Sequence, residues 1–203
     1  MNYVTVGVHQ KCVELVSGTF RLAVTTQVGP RIIGGFIDDS ANIFAVLPPE
    51  PYKAAETGWM LYGGHRLWHA PEVLPRTYAP DNTPVTVAED AKGVSFSSGV
   101  EAATGIEKTL RVRPLGRNRF ELMHQLTNRN SWAVSLAPWA LSVMATGGVA
   151  ILPHARQAKG NPFAVDRVIN LWPYSEFTDH RLTLGREFVM LRQDLQGIQP
   201  IKL

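Results

Sequence analysis

Between Tyr62 and Glu72 the chain reads YGGHRLWHAPE, which gathers two histidines, an arginine, a tryptophan and a carboxylate into eleven residues. An imidazole holds or releases a proton near neutral pH, and a nearby carboxylate tunes it. His65 or His69, with Glu72, is therefore a candidate acid/base group. Read as a helix, His65, His69 and Glu72 fall at i, i+4 and i+7, with three metal-ligand types on one face. Pro71 argues against that helix, because an interior proline removes an amide donor and clashes with the preceding turn. Read as a strand, the segment puts His65, Leu67 and His69 on one face and Arg66, Trp68 and Ala70 on the other. Two histidines without a third ligand make an incomplete metal site, so the expectation is no metal and no other cofactor.

The surrounding residues suggest a sugar. A flat aromatic face packs against the C–H surface of a pyranose while Arg, Asp, Asn and His bind its hydroxyls. The candidate contacts are Arg66 and Trp68, then Arg76, Tyr78, Asp81 and Asn82 from PRTYAPDN, then His124, Trp139 and Trp172. Each also has a purely structural reading. Trp132 and Trp139 in SWAVSLAPWALSVM suit a core, Arg76 and Asp81 suit a pair across a turn, and APDN is a turn sequence in itself. Asn128 suits a strand cap, and His124, between Met123 and Gln125, suits a satisfied core histidine.

The elements that must position these groups read as β-strands. TFRLAVTTQVG from Thr19, RIIGGFID from Arg31, VTVAED from Val85 and GVSFSS from Gly93 are β-branched or aromatic runs bounded by turn residues. Ser17-Gly18, Ala91-Lys92-Gly93 and PLGRNR at 114–119 sit where hairpins turn. No helical period is sustained. Residues 47–61, with three prolines, and the Pro/Gly-rich 153–165 read as loops, the first with a single helical turn at Lys53–Thr57. The prediction is an all-β antiparallel sandwich.

A chain of 203 residues supports one domain that buries roughly 70% of its unfolded surface, and no shift in composition marks a boundary, so residues 1–203 are expected to form a single domain. Charged residues make up 18% of the chain, and its net charge is only +3, with fourteen arginines scattered from Arg21 to Arg192. Nucleic acid is not an expected partner. There is no long apolar run and no leader-like N-terminus, so a membrane is not an expected partner either and the expected location is the cytoplasm. The single cysteine, Cys12, excludes an internal disulfide and a cysteine-based zinc cluster, and its setting predicts a buried structural thiol.

The order VGPRIIGGFID, YGGHRLWHAPE with PRTYAPDNTPV, GIEKTLRV, FELMHQLTNRNSWAVSLAPWALSVMATGGVAILP and NLWPYSEFTDHRLTLG resembles the galactose mutarotase-like (aldose 1-epimerase-like) superfamily, closest to a bacterial branch. The likeness runs from about Gly29 to Asp194. It implies a large β-sandwich, a carbohydrate ligand and, in active members, isomerisation between α and β anomers without a cofactor. It also implies an acid histidine and a base glutamate. The position expected for the histidine, after Thr127-Asn128, carries Ala137-Pro138-Trp139, and the chain stops before the glutamate. A form incomplete at its C-terminal end is therefore expected, with exposed sheet edges through which copies could associate as a homo-oligomer. The functional expectation is a carbohydrate-binding protein of epimerase or mutarotase type. The alternatives are a non-catalytic scaffold or regulatory subunit and a metal-assisted sugar-processing enzyme.

Overall fold

The computed structural model describes residues 1–51, 56–154, 163, 165, 167–194 and 200–203. It is nearly all β, with antiparallel pairing throughout. The expected sandwich is present as two sheets. The first has the order β1 (Asn2–Val6), β2 (His9–Ser17), β3 (Phe20–Val24), β4 (Arg31–Ile37), β6 (Met60–Ala70) and β11 (Ala137–Val143), with β5 (Val46–Pro51) also paired to β6. The second runs β10 (Arg119–Asn128), β9 (Ile106–Gly116), β8 (Gly93–Ser97) and β7 (Thr86–Asp90). The hairpins turn where the sequence predicts, with β2 and β3 meeting at Ser17↔Phe20, β7 and β8 at Asp90↔Gly93, and β9 and β10 at Gly116↔Arg119.

Alternation builds the core. Val13, Leu22, Val24 and Ile32 point from the first sheet onto Val94, Phe96, Leu110 and Val112 of the second, and all are buried. The intervening residues Cys12, Ala23 and Ile33 face the other way and form a second cluster with Val6. Burial pushes the Cys12 thiol up to about 11, as an inert structural cysteine requires.

The chain divides by its contacts into two compact units, Met1–Ala145 and Thr146–Leu203. Sequence composition carries no mark of that division. The second unit holds a three-stranded sheet of β12 (Val149–Pro153), β14 (Phe188–Arg192) and β13 (Leu182–Leu184).

Residues 47–51 are strand rather than the expected loop. The prolines of VLPPEP are tolerated because among the described residues β5 pairs with β6 alone, and a strand with one open side does not need every amide. The helical turn expected at Lys53–Thr57 falls mostly on residues outside those described, as does most of 153–165. No helix among the described residues is long and apolar enough to cross a membrane.

Candidate functional site

Strand β6 carries the histidine-rich stretch, and the pleat separates its side chains as the strand reading predicts. Two glycines make its entry possible. Gly63 and Gly64 have φ of +85° and +69°, and a Cβ on either would run into a backbone carbonyl, that of Ala45 or that of Ile32. Past this kink, Ile32↔His65 pairing sets His65 on the interior face of the first sheet, beside Ile32. Arg31↔Arg66 pairing sets the two arginines on the opposite face.

On the interior face, His65 meets the second sheet. Its Nε2 lies 2.8 Å from Nε2 of His124 on β10, and its Nδ1 lies 2.8 Å from Oγ of Ser142 on β11. The three groups come from three strands and form one hydrogen-bonded chain. Burial, and then the neighbouring His124, push the His65 imidazole down to about 4, and burial lowers His124 as well. Both rings are therefore neutral at physiological pH, one donating to the other. Among the described residues Nδ1 of His124 is buried without a partner, so His124 is not the fully satisfied core histidine that its strand position allowed.

Four residues further along, His69 is fully buried and, among the described residues, neither of its ring nitrogens has a hydrogen-bond partner. Its Nε2 is 3.6 Å from Oε2 of Glu101, which also pairs with Lys108 and accepts a 2.5 Å hydrogen bond from Thr104 Oγ1. Burial alone would raise the Glu101 carboxyl. His69, Lys108 and Thr104 outweigh it and hold that group at about 2. The carboxylate beside a β6 histidine is thus Glu101. Glu72 instead accepts a 2.5 Å hydrogen bond from the Tyr78 hydroxyl.

The opposite face of β6 is packed with aromatics and arginine. The Arg66 guanidinium lies 4.3 Å from the Trp59 ring centroid and 4.1 Å from that of Trp68, and Trp68 packs edge-on against Trp59, Tyr78 and Trp139. Burial, and then the positive Arg31, bring Arg66 down to about 9, still cationic at neutral pH. Arg31, with no exposed surface, donates to Gly63 O at 2.6 Å and to Asp81 Oδ2 at 2.8 Å. Asn82 bridges the same wall, accepting from the Tyr62 hydroxyl at 3.1 Å and donating to Gly58 O at 2.8 Å.

The expected contacts therefore fall into separate groups. His65 and His124 come together, and Trp68, Arg66, Tyr78 and Trp139 come together on the other face of the strand. Arg76 does not pair with Asp81; it donates to Pro71 O at 3.1 Å, while Arg31 takes the carboxylate. Trp132 is not core, since 66% of it is exposed. Asn128 does tie off its strand, donating to Trp132 O at 2.7 Å. Trp172 belongs to the second unit, where Lys202 Nζ sits 4.4 Å from its ring centroid.

Sequence reasoning missed Arg31, Ser142, Glu101 and Lys108. Arg31 and Ser142 become visible only through strand register, opposite Arg66 and His65. Alternation in GIEKTLRV put Lys108 on the buried side with Ile106 and Leu110, which was a usable signal. Among the described residues, no group of three or more His, Cys, Asp or Glu side chains could hold a metal ion. Comparison with protein-family models, curated proteins and solved structures finds no match to this chain.

Proposed function

We propose that the first unit binds an aldose at the His65 face of β6, and that the His65–His124 couple moves protons of the bound sugar so that its anomers interconvert. The observation that carries this reading is the 2.8 Å approach of two ring nitrogens, both kept neutral, with Ser142 continuing the chain. Ring opening needs one group to take the proton of the anomeric hydroxyl and another to protonate the ring oxygen. The C1–O5 bond breaks, the C1 carbonyl forms, and rotation about C1–C2 followed by the reverse transfers closes the other anomer. Sugar oxygens replace the ring-to-ring hydrogen bond, the unprotonated Nε2 receiving the hydroxyl proton and the protonated one giving its own. No cofactor enters the balance.

A second reading is sugar binding without turnover. It is favoured by Glu72, whose carboxylate is engaged by Tyr78 rather than by a histidine, and by Ala137-Pro138-Trp139 where the resemblance calls for an acid. The binding test common to both follows the histidine side-chain NMR signals during titration with a panel of aldoses. Saturable shifts at His65 and His124, with the Trp68 indole silent, support the site. Silence of both histidines towards every sugar favours a scaffold.

A further inference from the structure

The first unit has a cavity of about 530 Å³, which is within the size range of small-ligand pockets. None of His65, His124 and Ser142 lines it; its wall includes Arg76, Glu101, Thr104, Asn130, Trp132 and Ser135. We propose that this cavity is a binding site for an anionic monosaccharide, a sugar carrying a carboxylate or a phosphate, held between the Trp132 indole and the Arg76 guanidinium. The proposal rests on the carbohydrate reading above but uses none of the His65–His124–Ser142 chain.

The charge of the cavity decides the ligand class. Glu101 is ionised, yet one oxygen faces Lys108 and the other faces Thr104 and His69, so its charge is already answered from within the protein. Arg76 is in the opposite position. Among the described residues it forms no ion pair, its one hydrogen bond is Nη2 to Pro71 O at 3.1 Å, and its Nε is shut away from water without a partner. A guanidinium with spare donors on a cavity wall favours a planar carboxylate or a phosphate. The other arginines of this region cannot serve: Arg129, next to the lining Asn130, is paired with Glu107. Arg31 is committed to Asp81 and Gly63, and Arg66 is sealed between two indoles.

Trp132 supplies the other half. It is 66% exposed, and a mostly exposed indole at the edge of a cavity presents a stacking face for the C–H side of a pyranose. Its backbone is held in place, because Asn128 Nδ2 donates to Trp132 O at 2.7 Å and Asn130 ties to both Asn128 and Thr104 O.

Isothermal titration of glucuronate, glucose 6-phosphate and glucose into the whole chain tests this, with Trp132→Ala, Arg76→Gln and His65→Gln as variants and thermal midpoints as folding controls. At least one anionic sugar should bind saturably, about ten-fold or more tighter than glucose. Trp132→Ala and Arg76→Gln should each weaken it by about ten-fold or more, and His65→Gln, which alters only the aldose site on β6, should leave the anion's advantage over glucose in place. Binding of glucuronate alone identifies a carboxylate ligand, and of glucose 6-phosphate alone a phosphate ligand. Glucose binding as tightly as both anions, indifference to Arg76→Gln, loss of the anion's advantage in His65→Gln, or no saturable heat with either anion overturns the proposal.

Discussion

Nε2 of His65 and Nε2 of His124 face each other at 2.8 Å although they belong to different sheets, His65 to the strand at the centre of the histidine-rich stretch and His124 to the outermost strand of the second sheet. The sandwich brings them together across 59 residues of sequence. Burial keeps both in the neutral form that a hydrogen-bonded imidazole couple requires.

Acid should switch this couple off late. His65 is pushed down to about 4 and His124 below the ordinary histidine value, so an anomerisation rate that needs both neutral should persist below that ordinary value and be lost towards 4. The same shift has a sign for stability. Between the ordinary histidine value and about 4 the unfolded chain holds protons that the folded chain does not, so stability falls as pH is lowered through that window. Denaturation midpoints measured across the window should fall in the wild type and fall less in His65→Gln.

Asp81→Asn should destabilise the fold by about 3 kcal/mol, because it leaves the Arg31 guanidinium buried without its counter-charge. Arg76→Gln should change stability by less than about 0.5 kcal/mol, since among the described residues Arg76 makes one hydrogen bond, to a backbone carbonyl. Urea unfolding of the two variants separates the pairing that exists from the one that sequence adjacency suggests.

Arg66→Lys should cost about 1–2 kcal/mol despite preserving the charge. A guanidinium is planar and stacks between two indoles, whereas an ammonium is strongly hydrated and resists burial between Trp59 and Trp68. Its unfolding curve, compared with that of Arg66→Met, checks whether shape or charge is retained at this position.

Gly64→Ala should prevent normal folding or cost several kcal/mol. Its φ of +69° is strained for alanine, and the added methyl would collide with the Ile32 carbonyl in the neighbouring strand. Circular dichroism of the purified variant reads this directly.

The sheets were legible because β-strands announce themselves by alternation and by turn residues, and the hairpins at Ser17-Gly18 and PLGRNR close where those residues stand. The two faces of β6 were legible for the same reason. What alternation does not carry is which residue of a distant strand lies opposite. That is why Glu72, close in sequence, suggested itself as partner of the histidines, while Glu101 is the carboxylate beside His69 and His124 the neighbour of His65. The prolines at 48, 49 and 51 masked β5, because their rule applies to strands paired on both sides. Trp68 was expected at a sugar, but three aromatic neighbours brought in from β11 and the segments flanking β6 enclose it.

Proton transfer by the His65–His124 couple is read by two-dimensional exchange NMR of aldose anomers, with the wild type and His65→Gln compared at neutral pH over a buffer blank. Exchange well above the blank is expected for at least one aldose in the wild type, with a return to the blank in the variant. Exchange at the blank rate for every aldose, or equal acceleration by both proteins, would contradict that transfer.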